Sequence, residues 1–316
     1  MNVSAERKIV CVGNAVMDVL GRPVDGLAPA GTSQRLERVA FSPGGNAVNT
    51  AIALARLDVP VSLAAAVGSD RPGHLMREAL RAAGVEHSNL IEIAGAATSV
   101  SIVLVESGGE RRLLHFRGAN AHFSLAHLDW RLVEGAGIFF YASAFALPAF
   151  DGPPVEQAMV KAKSLGCLTA LNVCWDLEGR WLSLLQPALA HTDIMFPNIT
   201  EGRQLTGAAE PEAIAASLHR LGVKTVVVKL GPRGCFVSSA EGAFTSPGFP
   251  VTAVDTTGAG DCFAAGFLAE LFRGHNLRHA ARFANAAGAL CTLGMGGADS
   301  APARERVEQF LGQRPL

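Results

Sequence analysis

Asp255-Thr256-Thr257-Gly258-Ala259-Gly260-Asp261 runs without a break into Cys262-Phe263-Ala264-Ala265-Gly266-Phe267-Leu268-Ala269-Glu270-Leu271-Phe272. The first part is a turn of small residues and the second reads as a helix. Glycines at 258 and 260 let backbone come close to a ligand. Unpaired N–H groups at a helix start can surround a phosphate as charge develops on it. Asp261 stands beside that cradle, where a carboxylate can orient or deprotonate an alcohol. A glycine turn followed by Asp is equally a structural helix cap, and both roles stay open on the residues alone. The turn is not a GxxxxGK[ST] loop, so a nucleotide and its Mg²⁺ would need another arrangement.

Outward from this turn, short apolar runs alternate with helical periodicity. KIVCVG at 8–13 and VPVSLAAAV at 59–67 read as strands on either side of the periodic NAVNTAIALARL. LMREALRAAG from Leu75 reads as helix, IFFYAS at 138–143 as strand, EQAMVKAKSLG at 156–166 as helix and CLTALNV at 167–173 as strand. KTVVVKLGPRGCFVSS at 224–239 is strand, glycine turn, strand, and Leu277 through Leu293 is helical. This rhythm predicts a layered α/β fold with a mainly parallel sheet. Two stretches, 19–41 and 98–117, break it with short β-like runs and a hairpin candidate at Ser107-Gly108-Gly109. They make either a small β lid or two surface excursions.

Length and charge narrow the function. At 316 residues the chain suffices for one large α/β domain, taken as 1–316 with the lid at about 19–41 and 98–117. Hydrophobic residues at 49% and charged ones at 17% oppose global disorder. A formal net charge of -1 with no basic run argues against nucleic acid. The start MNVSAERKIVCVG lacks the long apolar stretch of a signal peptide or membrane span, so no membrane partner and a cytoplasmic address are expected. Cys11, Cys167, Cys174, Cys235, Cys262 and Cys291 lack zinc-site pairing and read as reduced residues in or near the core.

With DTTGAGD at 255–261 and PGGNAVNTA at 43–51, the chain resembles the PfkB, or ribokinase-like, carbohydrate kinase family over nearly its whole length. The resemblance implies a three-layer α/β sandwich with a mainly parallel central sheet and a small β lid. It assigns Gly258, Ala259 and Gly260 to an anion hole and Asp261 to the catalytic base. Gly44 and Gly45 would let a sugar approach backbone, with Asn46 and Asn49 binding hydroxyls or organising the pocket; a glycine turn with an Asn cap is the ordinary alternative. Asp18, in GNAVMD at 13–18, matches the aspartate that receives sugar hydroxyls, and Asn14 lies beside it.

On the nucleotide side, Asn198 and Glu201 in PNITE match the region of the magnesium and phosphate network, although an isolated NxxE is more simply a helix cap. Lys229, Gly231 and Gly234 resemble the nucleotide-side turn, and Asn285 the position beside adenine. Asp255 and the backbone of Thr257 match a monovalent cation site, supplemented by carbonyls within 291–298, which makes K⁺ an expectation. Two departures stand out. Asn172 occupies a position commonly held by an aspartate, and Arg117, in the segment resembling the lid, could meet a polar or acidic substrate or simply face solvent.

The resemblance therefore implies ATP- and Mg²⁺-dependent phosphorylation of a hydroxyl on a small sugar, without a phosphoenzyme, and a homodimer formed through the lid. A nucleoside kinase is the alternative within enzymes, and a non-catalytic sugar-binding sensor the alternative outside them.

Overall fold

Val61–Val67 and Ile138–Ala144 are buried at every position. Strands this apolar on both faces belong to a parallel sheet covered by helices on both sides. The computed structural model describes residues 7–108 and 110–314. Residues 1–6 of the chain start and Gly109 of the Ser107-Gly108-Gly109 turn, both used above, lie outside the described residues.

In chain order, β1 (Ile9–Val12), β2 (Val16–Arg22) and β3 (Arg38–Gly44) precede α1 (Asn46–Arg56). Next come β4 (Val61–Val67), α2 (Arg71–Ala82), β5 (Glu86–Glu92), β6 (Ser99–Val105) and β7 (Arg111–Phe116). The alternation continues with β8 (Ile138–Ala144), α3 (Pro153–Ser164), β9 (Leu168–Val173), α4 (Trp181–Leu189) and β10 (Ile194–Met195). Then follow α5 (Ile199–Thr206), α6 (Pro211–Arg220), β11 (Thr225–Lys229), β12 (Cys235–Ser239) and β13 (Gly242–Ser246). The last helices are α7 (Ala259–Phe272), α8 (Leu277–Cys291) and α9 (Arg304–Gly312).

The large sheet has nine strands in the order β13-β12-β11-β10-β9-β8-β1-β4-β5. It is parallel from β11 to β5 and antiparallel where β12 and β13 fold back at one edge. Side chains alternate between its faces, as pleating requires. Ile9 and Cys11 enter the core beneath α1, α7 and α8, whereas Val10 and Val12 enter the one beneath α3, α4 and α6. This is the expected three-layer sandwich with a mainly parallel sheet. No described helix is long and apolar enough to cross a membrane.

A second sheet of four strands, β3-β2-β6-β7, stands apart. Sequence periodicity places its strands within 19–41 and 98–117, but β2 starts earlier and β3 ends later, because Val16 pairs with Gly44 and Asp18 with Ser42. Asp18 and Gly44 are thus part of the small sheet. Leu20, Val103 and Val105 form its own buried cluster, with Met295 packed against it. Its other face leaves Val39, Phe41, Ile102, Leu114 and Phe116 exposed.

Candidate active site

α7 places Asp261 in its first turn, and α1 packs across it with Asn46 and Asn49 one turn apart. Asn46 Nδ2 donates to Asp261 Oδ1 at 3.0 Å, and Asn49 Nδ2 donates to Oδ2 at 2.8 Å. The Cys174 thiol donates to Asn46 Oδ1 at 3.2 Å, which turns the amide nitrogen toward Asp261. Burial raises the Asp261 carboxyl above its usual range, opposed by the Asn49 hydrogen bond, the Lys229 charge, the Asn46 hydrogen bond and Arg111. Burial and the two amide donors thus pull its ionisation in opposite directions, an arrangement that can take up and release a proton.

Asp18 approaches from the small sheet. Burial pushes its carboxyl up to about 7, opposed by a hydrogen bond with Ser101 and the charge of Arg111, while Asp255 and Asp261 add to the rise. The Asp18 carboxylate leans over Gly44, two residues along β3 from its register partner Ser42, and a Cβ there would overlap it. Asn14 is tied to β8, its N–H donating to Ser143 Oγ at 3.0 Å and its Oδ1 accepting from that hydroxyl at 2.7 Å. Asn120 clamps Ala15 reciprocally, with its Oδ1 3.2 Å from Ala15 N and its Nδ2 3.0 Å from Ala15 O. These bonds hold the 13–18 segment where it passes from the large sheet to the small one. Gly45 precedes α1, and a Cβ on it would overlap the Asn14 carbonyl.

The turn before α7 is stapled by Asp255. Its Oδ1 accepts from Thr257 N at 2.9 Å and Thr257 Oγ1 at 2.7 Å, and its Oδ2 accepts from Gly296 N at 3.0 Å. Gly258 caps α7 in the left-handed region at φ 73°, and a Cβ on it would overlap Gly297, so only glycine satisfies both demands. No side chain caps α7, and the Gly260 N–H has no partner among the described residues. The helix start therefore keeps donors for an anion. The carbonyls of Thr257 and Gly297 converge on the Cys291 thiol at 3.7 and 3.6 Å, so oxygen donors gather beside Asp255.

Behind the turn lies a cavity of about 420 Å³. Phe249, Pro250, Val251, Phe263 and Ala289 give it apolar walls, and Lys229, Ala259 and Gly260 lie on its lining, as do Gly231, Gly234 and Asn285. An apolar slot bounded by a cation and the free Gly260 N–H suits a flat base with an anionic tail. The amide nitrogen of Asn285 is spent on Ser246 O, Ser246 Oγ and Pro247 O at 3.1, 3.1 and 3.2 Å, so it braces the wall from inside. Lys229 Nζ stands 3.3 Å from where a Cβ on Gly260 would be, and donates to Asn172 Oδ1 at 2.9 Å. Asn172 thus positions the lysine without neutralising it.

Asn198 and Glu201 form the capping box of α5: Asn198 N donates to Glu201 Oε2 at 2.7 Å and Glu201 N to Asn198 Oδ1 at 2.8 Å. The cap also presents a carboxylate inward. Burial raises the Glu201 carboxyl, opposed by Lys229 and the Asn198 N–H, with Asp261 adding to the rise. Glu201 Oε1 accepts no hydrogen bond among the described residues, which leaves a hard oxygen donor suited to Mg²⁺ or its water.

Arg117 is not gathered into this group. Both its Nη atoms donate to Glu178 Oε1 at 3.0 Å, because β7 ends at Phe116 and the chain turns there. The arginine that does reach the site is Arg111, which donates to Thr257 Oγ1. Register counting along β7 would have found it, since Arg111 and His115 are four residues apart and face alike. The apolar walls at 249–251 carry no periodicity and gave no such signal.

A family model described as pfkB family carbohydrate kinase matches residues 6–304. The chain is 34% identical over 309 residues to the ATP-dependent ribose-1-phosphate kinase of Halopiger xanaduensis, covering 97% of this chain and 99% of the relative. It is 32% identical to the ribokinase of Haemophilus influenzae, covering 85% of this chain and 87% of that one. Arabidopsis thaliana ribokinase, solved in complex with ribose and ATP, superposes with a TM-score of 0.84 at 28% identity, covering 96% of this chain and 98% of that one. With its turn, paired amides and buried aspartate arranged as described, the chain belongs to the pfkB family of carbohydrate kinases.

Proposed function

We propose that the protein transfers the γ-phosphoryl group of ATP to a hydroxyl of a small sugar, with Asp261 as the general base. The observation that carries this is the position of Asp261, held by Asn46 and Asn49 between Asp18 on one side and the Lys229–Gly260 end of the cavity on the other. The names of the relatives, for ribose, ribose-1-phosphate and fructose, support a sugar as acceptor.

Asp18, Asn14, Asn46 and Asn49 bind and orient the hydroxyls, and Gly44 and Gly45 admit the sugar close to the backbone. As Asp261 takes the proton, the acceptor oxygen bonds to the γ-phosphorus and the bond to the β–γ bridging oxygen breaks, releasing ADP. The Gly258–Gly260 amides and Lys229 stabilise charge on the transferred group. Gly231, Gly234 and Asn285 flank the nucleotide. Asn198 and Glu201 would hold Mg²⁺ directly or through water, and the ion would neutralise phosphate charge there. The Asp255 carboxylate with the Thr257 and Gly297 carbonyls supports K⁺ beside the turn. The small sheet acts as a lid that excludes water, and its exposed apolar face supports a homodimer. Six free thiols suit a cytoplasmic address.

The test is an acceptor panel of ribose, fructose, keto-deoxy sugars, adenosine and inosine with ATP, Mg²⁺ and K⁺, read by product mass. A phosphorylated sugar with stoichiometric ADP is expected. Transfer to nucleosides alone, or binding without product, would overturn the assignment.

A further inference from the structure

The far end of α7 carries a second cluster of chemistry-bearing side chains, away from the site above. Gly274, in the left-handed region at φ 86°, turns the chain after α7, so that His275 and His279 come back over Glu270. The His275 N–H donates to the Glu270 carbonyl at 3.0 Å, and Asn276 caps α8 by accepting from His279 N at 2.9 Å. The two imidazoles, four residues apart in the chain, stack with centroids 4.2 Å apart. Their Nε2 atoms approach one oxygen, Glu270 Oε2, at 2.7 Å from His279 and 3.5 Å from His275.

Glu270 is fully buried, whereas both imidazoles are half-exposed. Arg304, at the start of α9, donates from Nη1 to Glu270 Oε1 at 2.8 Å, which fixes the carboxylate and leaves Oε2 toward the histidines. The guanidinium is shared with Glu308 at 2.7 Å, so two carboxylates face one guanidinium and the group keeps a surplus of negative charge. At 3.5 Å the His275 contact is longer than a good hydrogen bond, so that imidazole is aimed at an oxygen it does not engage. One ligand atom from each of Glu270, His275 and His279 lies within 4.8 Å of the other two, and no other three His, Cys, Asp or Glu among the described residues come together in this way.

We infer that Glu270, His275 and His279 bind one Zn²⁺ ion, with water completing its shell. Two imidazole nitrogens and a carboxylate oxygen suit zinc, whereas Mg²⁺ prefers oxygen donors alone. Bonds of about 2.0–2.1 Å in a tetrahedral shell put ligand atoms about 3.3 Å apart. The half-exposed rings reach that spacing by small shifts, while the buried carboxylate stays in place. Arg304 behind Glu270 is the kind of outer partner that holds a ligating carboxylate in its orientation. Glu270 follows Asp261 by nine residues, roughly 13 Å along α7, so the ion would fasten α7, α8 and α9 together without touching the reacting atoms. The site does not depend on the sugar-kinase reading.

The experiment titrates chelator-treated protein with Zn²⁺ in millimolar Mg²⁺, by calorimetry and by thermal unfolding, for the wild type, His275→Gln and His279→Gln. Glutamine keeps an N–H donor for Glu270, so each variant retains a hydrogen bond in the cluster. The wild type should bind one Zn²⁺ per chain, and saturating metal should raise its thermal midpoint by about 3 °C or more. Each variant should bind Zn²⁺ about 10-fold more weakly or worse and lose that rise. Co²⁺ in place of Zn²⁺ should give the visible bands of nitrogen and oxygen ligation, without the near-ultraviolet charge-transfer band of a thiolate. Absence of Zn²⁺ binding, equal binding in the wild type and both variants, or a thiolate band overturns the inference; histidines that only ion-pair with Glu270 give the first of these results. If one variant fails to fold, the other and the wild-type Co²⁺ spectrum decide.

Discussion

Asn49 Nδ2 lies 2.8 Å from Asp261 Oδ2, so the first turn of α1 fixes the carboxylate in the first turn of α7. Asn46 holds the other oxygen at 3.0 Å. Two amide donors favour the ionised carboxylate and burial favours the neutral acid; burial prevails and the carboxyl is raised. Asp261→Asn should lower kcat by about 10²- to 10⁴-fold while keeping the thermal midpoint. Because transfer needs the ionised form, wild-type kcat/KM should fall as pH drops through a value above the usual carboxylate range. Near-normal turnover in Asp261→Asn would remove Asp261 as the base.

Asp18 should make stability depend on pH. The native carboxyl keeps its proton up to about 7, whereas a free one releases it near 3.8. Between those values the native state binds more protons than the unfolded one, so stability falls as pH rises through the window. Asp18→Asn should flatten that slope, stabilise the protein at pH 8 by on the order of 2 kcal/mol and raise the acceptor KM. Urea unfolding at pH 5 and pH 8 measures it; an unchanged slope would contradict the assignment.

Glu201 has two separable duties. Glu201→Gln keeps an acceptor for Asn198 N and so keeps the capping box, whereas Glu201→Ala should cost about 1 kcal/mol of stability. Both should raise the Mg²⁺ concentration for half-maximal activity about 10-fold or more. If Glu201→Gln matches the wild type in Mg²⁺ titration, the residue only caps its helix.

The exposed face of the small sheet offers Phe41, Ile102, Leu114 and Phe116, an apolar stripe of the kind that another subunit covers. Leu114→Glu should shift a dimer to monomer in analytical ultracentrifugation. A wild type that sediments as a monomer at micromolar concentration would exclude this interface.

Strand and helix alternation was legible because strands such as β4 and β8 are buried on both faces and read as unbroken apolar runs. β10, with only Ile194–Met195, is too short to leave a pattern. Within the site, Asp261 and the glycine turn could be read locally, since their function follows from adjacent residues. The role of Asn172 could not, because it depends on a lysine 57 positions away. Arg111 was passed over for Arg117 because the two differ in partner, and an ion pair to Glu178 across 61 residues leaves no mark on the sequence.

The chain crosses between its two sheets within 13–18, which sets Asp18 on the small sheet while Asp261 stays on α7. β3, which pairs with Asp18, runs into α1, whose amides hold Asp261, so one continuous stretch of chain sets the spacing of the two carboxylates. On the proposed reading, that stretch is the ruler against which an acceptor is measured.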